Sequence, residues 1–217
     1  MKNFCPIIKL RLAIGLLISI LFIISSWSIA GYKPVANSEE YQINKLYIFD
    51  NDFKKALYKT NINIYGNNLT GLTLMKKTDS AMRVVSMSEL GIKYFDFEFP
   101  DDTQKEFKVH YVMEPLNKEF VINKISKEFT FMFFLPDITR SQIKIFRNDS
   151  SNLIIKHKNL VYFFDQSGAV TKICLQRWPL HLKSIISLSD YKHSFPETIF
   201  INKGKISIDL ELIDWNK

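Results

Sequence analysis

The sequence predicts a mainly β protein: a single antiparallel sheet of about 11–12 strands, curved or rolled into an unclosed β-barrel, with an apolar helix as its lid. Three observations carry that prediction. Beyond residue 40 the polarity of the side chains alternates with a period of two, the mark of half-buried antiparallel strands. The breaks between alternating runs are short and polar. One stretch, Leu116 to Leu135, abandons the alternation for a helical spacing.

The alternation is clearest where Phe95, Phe97 and Phe99 interleave with Tyr94, Asp96 and Glu98. It recurs as Phe107, Val109, Tyr111 and Met113 against Lys108 and His110, and as Ile206, Ile208, Leu210 and Leu212 against Ser207, Asp209 and Glu211. The same logic places strands near 58–65, 69–77, 81–88, 91–99, 106–113, 142–147, 152–157, 160–165, 169–176, 182–188, 197–202 and 205–213. Gly66-Asn67-Asn68, Asp79-Ser80, Gln166-Ser167-Gly168 and Lys203-Gly204 are tight-turn chemistry, so consecutive strands should be neighbours. Gaps this short exclude the helical crossovers of a parallel sheet. A sheet of ~10 or more twisted strands must curl, split or close.

Between Leu116 and Leu135, Val121, Ile125, Phe129 and Met132 or Phe133 recur at three-to-four spacing, which predicts a helix ending before Pro136, with a short strand near 118–124 as the alternative. Its second half, Phe129 to Leu135, is apolar nearly all round and must be covered on most sides. Packing across the open concave face of the sheet satisfies that requirement. A shorter amphipathic helix is predicted over Asn51 to Tyr58, with Phe53 and Leu57 facing the core.

Residues 1–30 obey different rules. Lys2, Lys9 and Arg11 precede an uncharged apolar run from Leu12 to Ile24, and Ser28 and Ala30 supply small residues before Gly31. This is the order of a signal peptide. Read instead as an uncleaved anchor, residues 12–30 would associate with the membrane, since ~20 apolar residues span a bilayer. Either way residues 31–217 form one domain, expected outside the cytoplasm, in the periplasm or cell envelope. Three of the basic residues behind the net charge of +7 lie in this segment, and the others are scattered, so no nucleic-acid partner is expected. Cys174 has no partner for an intradomain bridge once Cys5 is set aside, and reads as a small buried apolar residue.

Leu69 to Lys77, Met82 to Met87 and Glu89 to Glu98 together resemble the first hairpins of the Lol-type (LolA/LolB-like) lipoprotein carrier and receptor family. The similarity covers roughly residues 55–135. The resemblance implies an unclosed barrel whose helical lid encloses a cavity for acyl chains, and hence a lipid or the acyl chain of a lipoprotein as partner. The lipid-attachment cysteine of the receptor branch is absent: Trp27 follows the apolar run and Cys5 precedes it.

The sequence offers little chemistry for catalysis. His110, His157, His181 and His193 lack metal-ligand spacing, and no nucleophile elbow, dinucleotide loop or phosphate loop is present. Asp96 and Glu98 share a strand face with Lys108 and His110 beside them, which cross-strand charge pairing explains. No enzyme, metal or cofactor is expected. The aromatic excess, 14% of the chain, points instead to ligand binding by Phe95, Phe97, Phe99, Tyr111, Phe129, Phe131, Phe133 and Phe134. Each methylene of an acyl chain buried there contributes ~0.8 kcal/mol. The competing expectation is a structural or protein-interaction component of the envelope whose aromatic core is filled.

Overall fold

The computed structural model describes residues 32–35, 48–49, 52–102, 105–134, 143–150, 152–177, 181–192, 195–202 and 204–216. The predicted signal or anchor, Lys203 of the last hairpin and Pro136 lie outside these residues.

Among the described residues, thirteen strands form one antiparallel sheet that is not closed into a barrel, accompanied by one α-helix. The strands are β1 (Lys33–Pro34), β2 (Lys55–Ile64), β3 (Asn67–Lys77), β4 (Ala81–Met87), β5 (Lys93–Pro100), β6 (Lys108–Val112), β7 (Ile143–Arg147), β8 (Leu153–His157), β9 (Leu160–Phe164), β10 (Val170–Arg177), β11 (His181–Lys192), β12 (Phe195–Asn202) and β13 (Ile206–Asn216). Between β6 and β7 lie a 3-10 turn (Glu114–Leu116) and the helix α1 (Glu119–Phe133). The spatial order is β1-β7-β8-β9-β10-β11-β12-β13-β2-β3-β4-β5-β6. Two meanders are thus joined where the last strand pairs with β2, from Ile206 opposite Ile64 to Asn216 opposite Lys55. The free edges are β1 and β6, and α1 connects the strand at one edge to the strand beside the other.

The period-two pattern builds a continuous inner face. Ala56, Tyr58, Thr60, Ile62 and Ile64 of β2 are buried, whereas Lys55, Lys59 and Asn61 are exposed. Register carries the row sideways: Met75 opposes Val84, and Val84 opposes Phe97. Val121, Ile125, Phe129 and Met132 of α1 join this core. A smaller apolar cluster of Ile154, Val161 and Cys174, with Tyr32, Phe146 and Phe163 against it, lies on the other face of β8–β10. Cys174 is 3% exposed there, as a small apolar residue would be.

Three details depart from the sequence-based expectations. The helix over Asn51 to Tyr58 does not form; Lys55 already begins β2, and Asn51 lies outside the described residues. A helix of eight residues is marginal alone, whereas Ala56 and Tyr58 gain ladders with both β3 and β13. Phe53 is still buried. The predicted single helix is a 3-10 turn followed by a shorter α-helix, with Pro115 in the first turn of the former. The first hairpin turns at Tyr65-Gly66 rather than Gly66-Asn67-Asn68, and Asn67 and Asn68 start β3. Both turn residues have positive φ, 53° and 89°. Asn usually fills the first position of such a turn, and a side chain like tyrosine held left-handed costs roughly 1–2 kcal/mol.

The β2–β3 and β4–β5 turns and the start of α1 share one end of the sheet, because each strand reverses the last. Leu90 and Ile92, at the β4–β5 tip, are 90% and 59% exposed.

Gly71 fixes how β3 meets β4. A Cβ there would run into the Met87 carbonyl oxygen and the Ser88 Cα, both backbone atoms that cannot swing aside. Gly71→Ala should therefore lower the urea midpoint by the equivalent of about 1–3 kcal/mol, an overpacking cost. An unchanged midpoint would contradict this register.

Candidate functional site

Of the eight aromatic side chains singled out by the sequence, five form one ring cluster, Phe131 and Phe134 pack half-buried against the core, and one stands apart. Phe95, Phe97 and Phe99 are each 1% exposed on the inner face of β5. Phe95 and Phe97 stack at 4.8 Å, and Phe97 meets Phe99 edge-on at 6.4 Å. Phe129 and Phe133, one helical turn apart on α1, share a face. Phe129 lies 6.3 Å from Phe95 and 6.1 Å from Phe99, and Phe133 lies 5.4 Å from Phe99. Phe131 projects from another side of the helix. It is half-buried under the Lys127 ammonium at 5.7 Å, and its carbonyl accepts a 3.5 Å contact from the Tyr162 hydroxyl on β9. Phe134 caps the helix and packs half-buried against the core.

Tyr111 is the exception. A bulge in the β5–β6 ladder sets Asp96 opposite Tyr111 but Phe97 opposite Val109, leaving His110 as the extra residue. An extra residue reverses the parity of the strand beyond it. Tyr111 therefore leaves the phenylalanine face for that of Asp96, where it is 43% exposed with the Lys93 ammonium 5.9 Å above its ring.

Further rings extend this cluster, among them Phe107, which the strand alternation had marked, and Phe53, expected to face the core from a helix. Phe107 lies 5.9 Å from Phe97 and stacks on Phe99 at 6.0 Å. Phe49 bridges Phe133 at 6.1 Å and Phe53 at 4.8 Å, and Phe53 leads to Phe195 and Trp215. Phe49 and Phe53 lie ahead of β2 in a segment without strand alternation, and for Phe49 only its aromatic character is a signal.

Buried hydroxyls of the sheet's inner face are satisfied within the protein. Thr60 donates to Thr73 at 2.8 Å and Thr73 to Ser86 at 3.0 Å, a row of buried hydroxyls crossing β2, β3 and β4. The Tyr58 hydroxyl donates to the Pro196 carbonyl at 3.2 Å, and burial pushes the Tyr58 and Tyr162 phenols well above their ordinary pKa.

The outer face of β4–β6 carries charge. Arg83 grips Asp96 with two hydrogen bonds, 2.9 and 3.1 Å, and Lys93 adds a third at 2.8 Å. Glu98 accepts from Lys108 at 2.8 Å and contacts the His110 ring nitrogen at 2.9 Å. Next to it a cleft of about 340 Å³ is lined by Asp79, Glu98, Asp101, Asp102, Lys105 and Lys108. Ion pairs from Lys77 to Asp101 and from Lys108 to Glu98 explain those charges as structural. Among the described residues, no group of three or more His, Cys, Asp or Glu side chains is placed to hold a metal. Neither a family model nor a curated protein matches this chain.

Burial raises the Asp96 carboxyl, but the hydrogen bonds from Arg83 and Lys93 outweigh it and hold its pKa below the ordinary value. With the folded pKa depressed below an unfolded value of ~3.9, the stabilisation is complete above that value and is lost as pH falls through the folded one. Asp96→Asn should cost roughly 1–3 kcal/mol at neutral pH, the range for hydrogen bonds to charged groups. The gap to the parent should close in urea titrations below about pH 4. A gap equally wide in acid would contradict this role.

Proposed function

We propose that this chain is an extracytoplasmic protein of the cell envelope that takes up an acyl chain, from a lipid or a lipoprotein, between the inner face of its sheet and α1, and carries it towards the outer membrane. The observation that carries this reading is how α1 is held. It crosses the interior of an unclosed sheet, and beside the buried aliphatic packing of Val121, Ile125 and Met132 its attachments around Phe129 and Phe133 are ring contacts with Phe95, Phe99 and Phe49. The Tyr162 contact adds a hydrogen bond at the limit of useful length. Ring pairs add about 0.5–1.5 kcal/mol each beyond the apolar area they bury. An acyl chain can replace them, at ~0.8 kcal/mol for each methylene removed from water. The helix then acts as a lid that exchanges its aromatic partners for a ligand.

The order of residues 1–30 supports the compartment, and the Lol-type resemblance of residues 55–135 supports the ligand class. Leu90 and Ile92 at the exposed β4–β5 tip give such a carrier an apolar point of contact with a membrane. A second reading, an envelope interaction protein, is favoured by β6. Lys108, Val109, His110 and Tyr111 are all exposed on this edge strand, where a partner can add a strand of its own.

Titration with an environment-sensitive dansyl fatty acid separates the two. The parent should bind saturably. Phe131→Ala and Phe133→Ala should weaken binding while costing less stability than the ~3–5 kcal/mol of a fully buried phenylalanine. If the parent shows no saturable binding and both variants incur the full core penalty, α1 is a permanent core helix and the β6 reading takes over.

A further inference from the structure

At the end of the sheet where α1 begins, four side chains from three elements form a row. The Lys205 ammonium, at the start of the last hairpin strand, sits 5.6 Å over the Tyr65 ring. Tyr65, in the β2–β3 turn, meets Phe120 edge to face at 5.8 Å. The Lys124 ammonium lies 6.0 Å over the other end, the Phe120 ring. Tyr65 and Phe120 remain 48% and 46% exposed, so the row is a surface feature and not a spur of the core. The chain holds Tyr65 left-handed, at φ 53°, to present this ring where asparagine would fit the turn more easily. Lys118 and Glu119 are also exposed here, and among the described residues neither Lys124 nor Lys205 forms an ion pair.

Half-exposed rings capped by ammonium groups match the boundary of a bilayer. Aromatic side chains settle at headgroup level, and lysines keep their stems on apolar surface while their charge faces phosphate. A cation near an anionic leaflet gains attraction that a neutral surface does not supply. We propose that the row Lys205–Tyr65–Phe120–Lys124 is a docking surface for the anionic headgroups of a phospholipid bilayer. It deepens the carrier reading by naming the chemistry of the membrane that the carrier meets, and rests on that reading only for the presence of a membrane.

Phe120→Trp places a reporter indole in the row of the full-length chain. Its emission, taken as the difference from the parent, should shift to the blue and be quenched by brominated phospholipids in vesicles containing phosphatidylglycerol, but not in vesicles of phosphatidylcholine alone. Adding Lys124→Gln and Lys205→Gln should weaken the apparent affinity for anionic vesicles roughly twentyfold or more, each lysine near such a surface counting for about fivefold. Tyr65→Asn, which suits the left-handed turn, should weaken docking without lowering the melting temperature. An indole that stays unquenched overturns the proposal, as does equal quenching by neutral vesicles or indifference to both glutamines. Because dansyl fatty acid is titrated without vesicles, saturable probe binding alongside an unquenched indole sinks the docking surface alone. Quenching without probe binding sinks the carrier reading alone.

Discussion

The ladder between β2 and β13 is the constraint on which the other features depend. It joins two meanders that would otherwise be separate sheets, and it does so by pairing Ile64 with Ile206 and Lys55 with Asn216. Because these strands occupy the middle of the spatial order, the edges fall at β6 and β1, and the chain must travel from one side to the other between β6 and β7. The segment making that journey is α1. Had β13 paired elsewhere, α1 would have no two-sided interior to cross, and its run of phenylalanines would face water. Contacts this distant in sequence form slowly in folding, so the interior is completed only after the last strand is available.

Within that frame, polarity is sorted by face. The inner face joins rings, aliphatic side chains and a row of hydroxyls satisfied by one another; the outer face of β4–β6 concentrates ion pairs around Asp96 and Glu98. Such sorting suits a protein whose ligand brings its own apolar surface and needs few directed polar contacts. Selectivity then falls to chain length and to the groups at the rim. Tyr65, Phe120 and their two lysines lie at the end where α1 starts, so the proposed bilayer contact adjoins the first turns of the proposed lid.

Much of the architecture was legible because the signal is local. Alternation of Phe95, Phe97 and Phe99 with Asp96 and Glu98 declares a strand and its faces, and the spacing of Val121, Ile125 and Phe129 declares a helix. What escaped the sequence depends on partners. The bulge at His110 moved Tyr111 to the opposite face, because parity in β6 is set by the ladder with β5 and not by β6 alone. Asn51 to Tyr58 looks amphipathic in isolation, yet Ala56 and Tyr58 answer to strands on both sides. The two residues of β1 are too few for a periodicity and exist by pairing with Phe146 and Arg147. Phe49 joins the aromatic interior from a segment without alternation, so no spacing foretold it.

The central claim is that sheet and helix exchange ring contacts for an acyl chain. Native mass spectrometry of the protein purified gently from the cells that make it tests it most directly. The account predicts a population heavier than the polypeptide by the mass of a lipid or acylated species, which collisional activation removes to leave the unmodified chain. A spectrum holding the bare polypeptide alone, under conditions that preserve lipid on a known carrier, would contradict it.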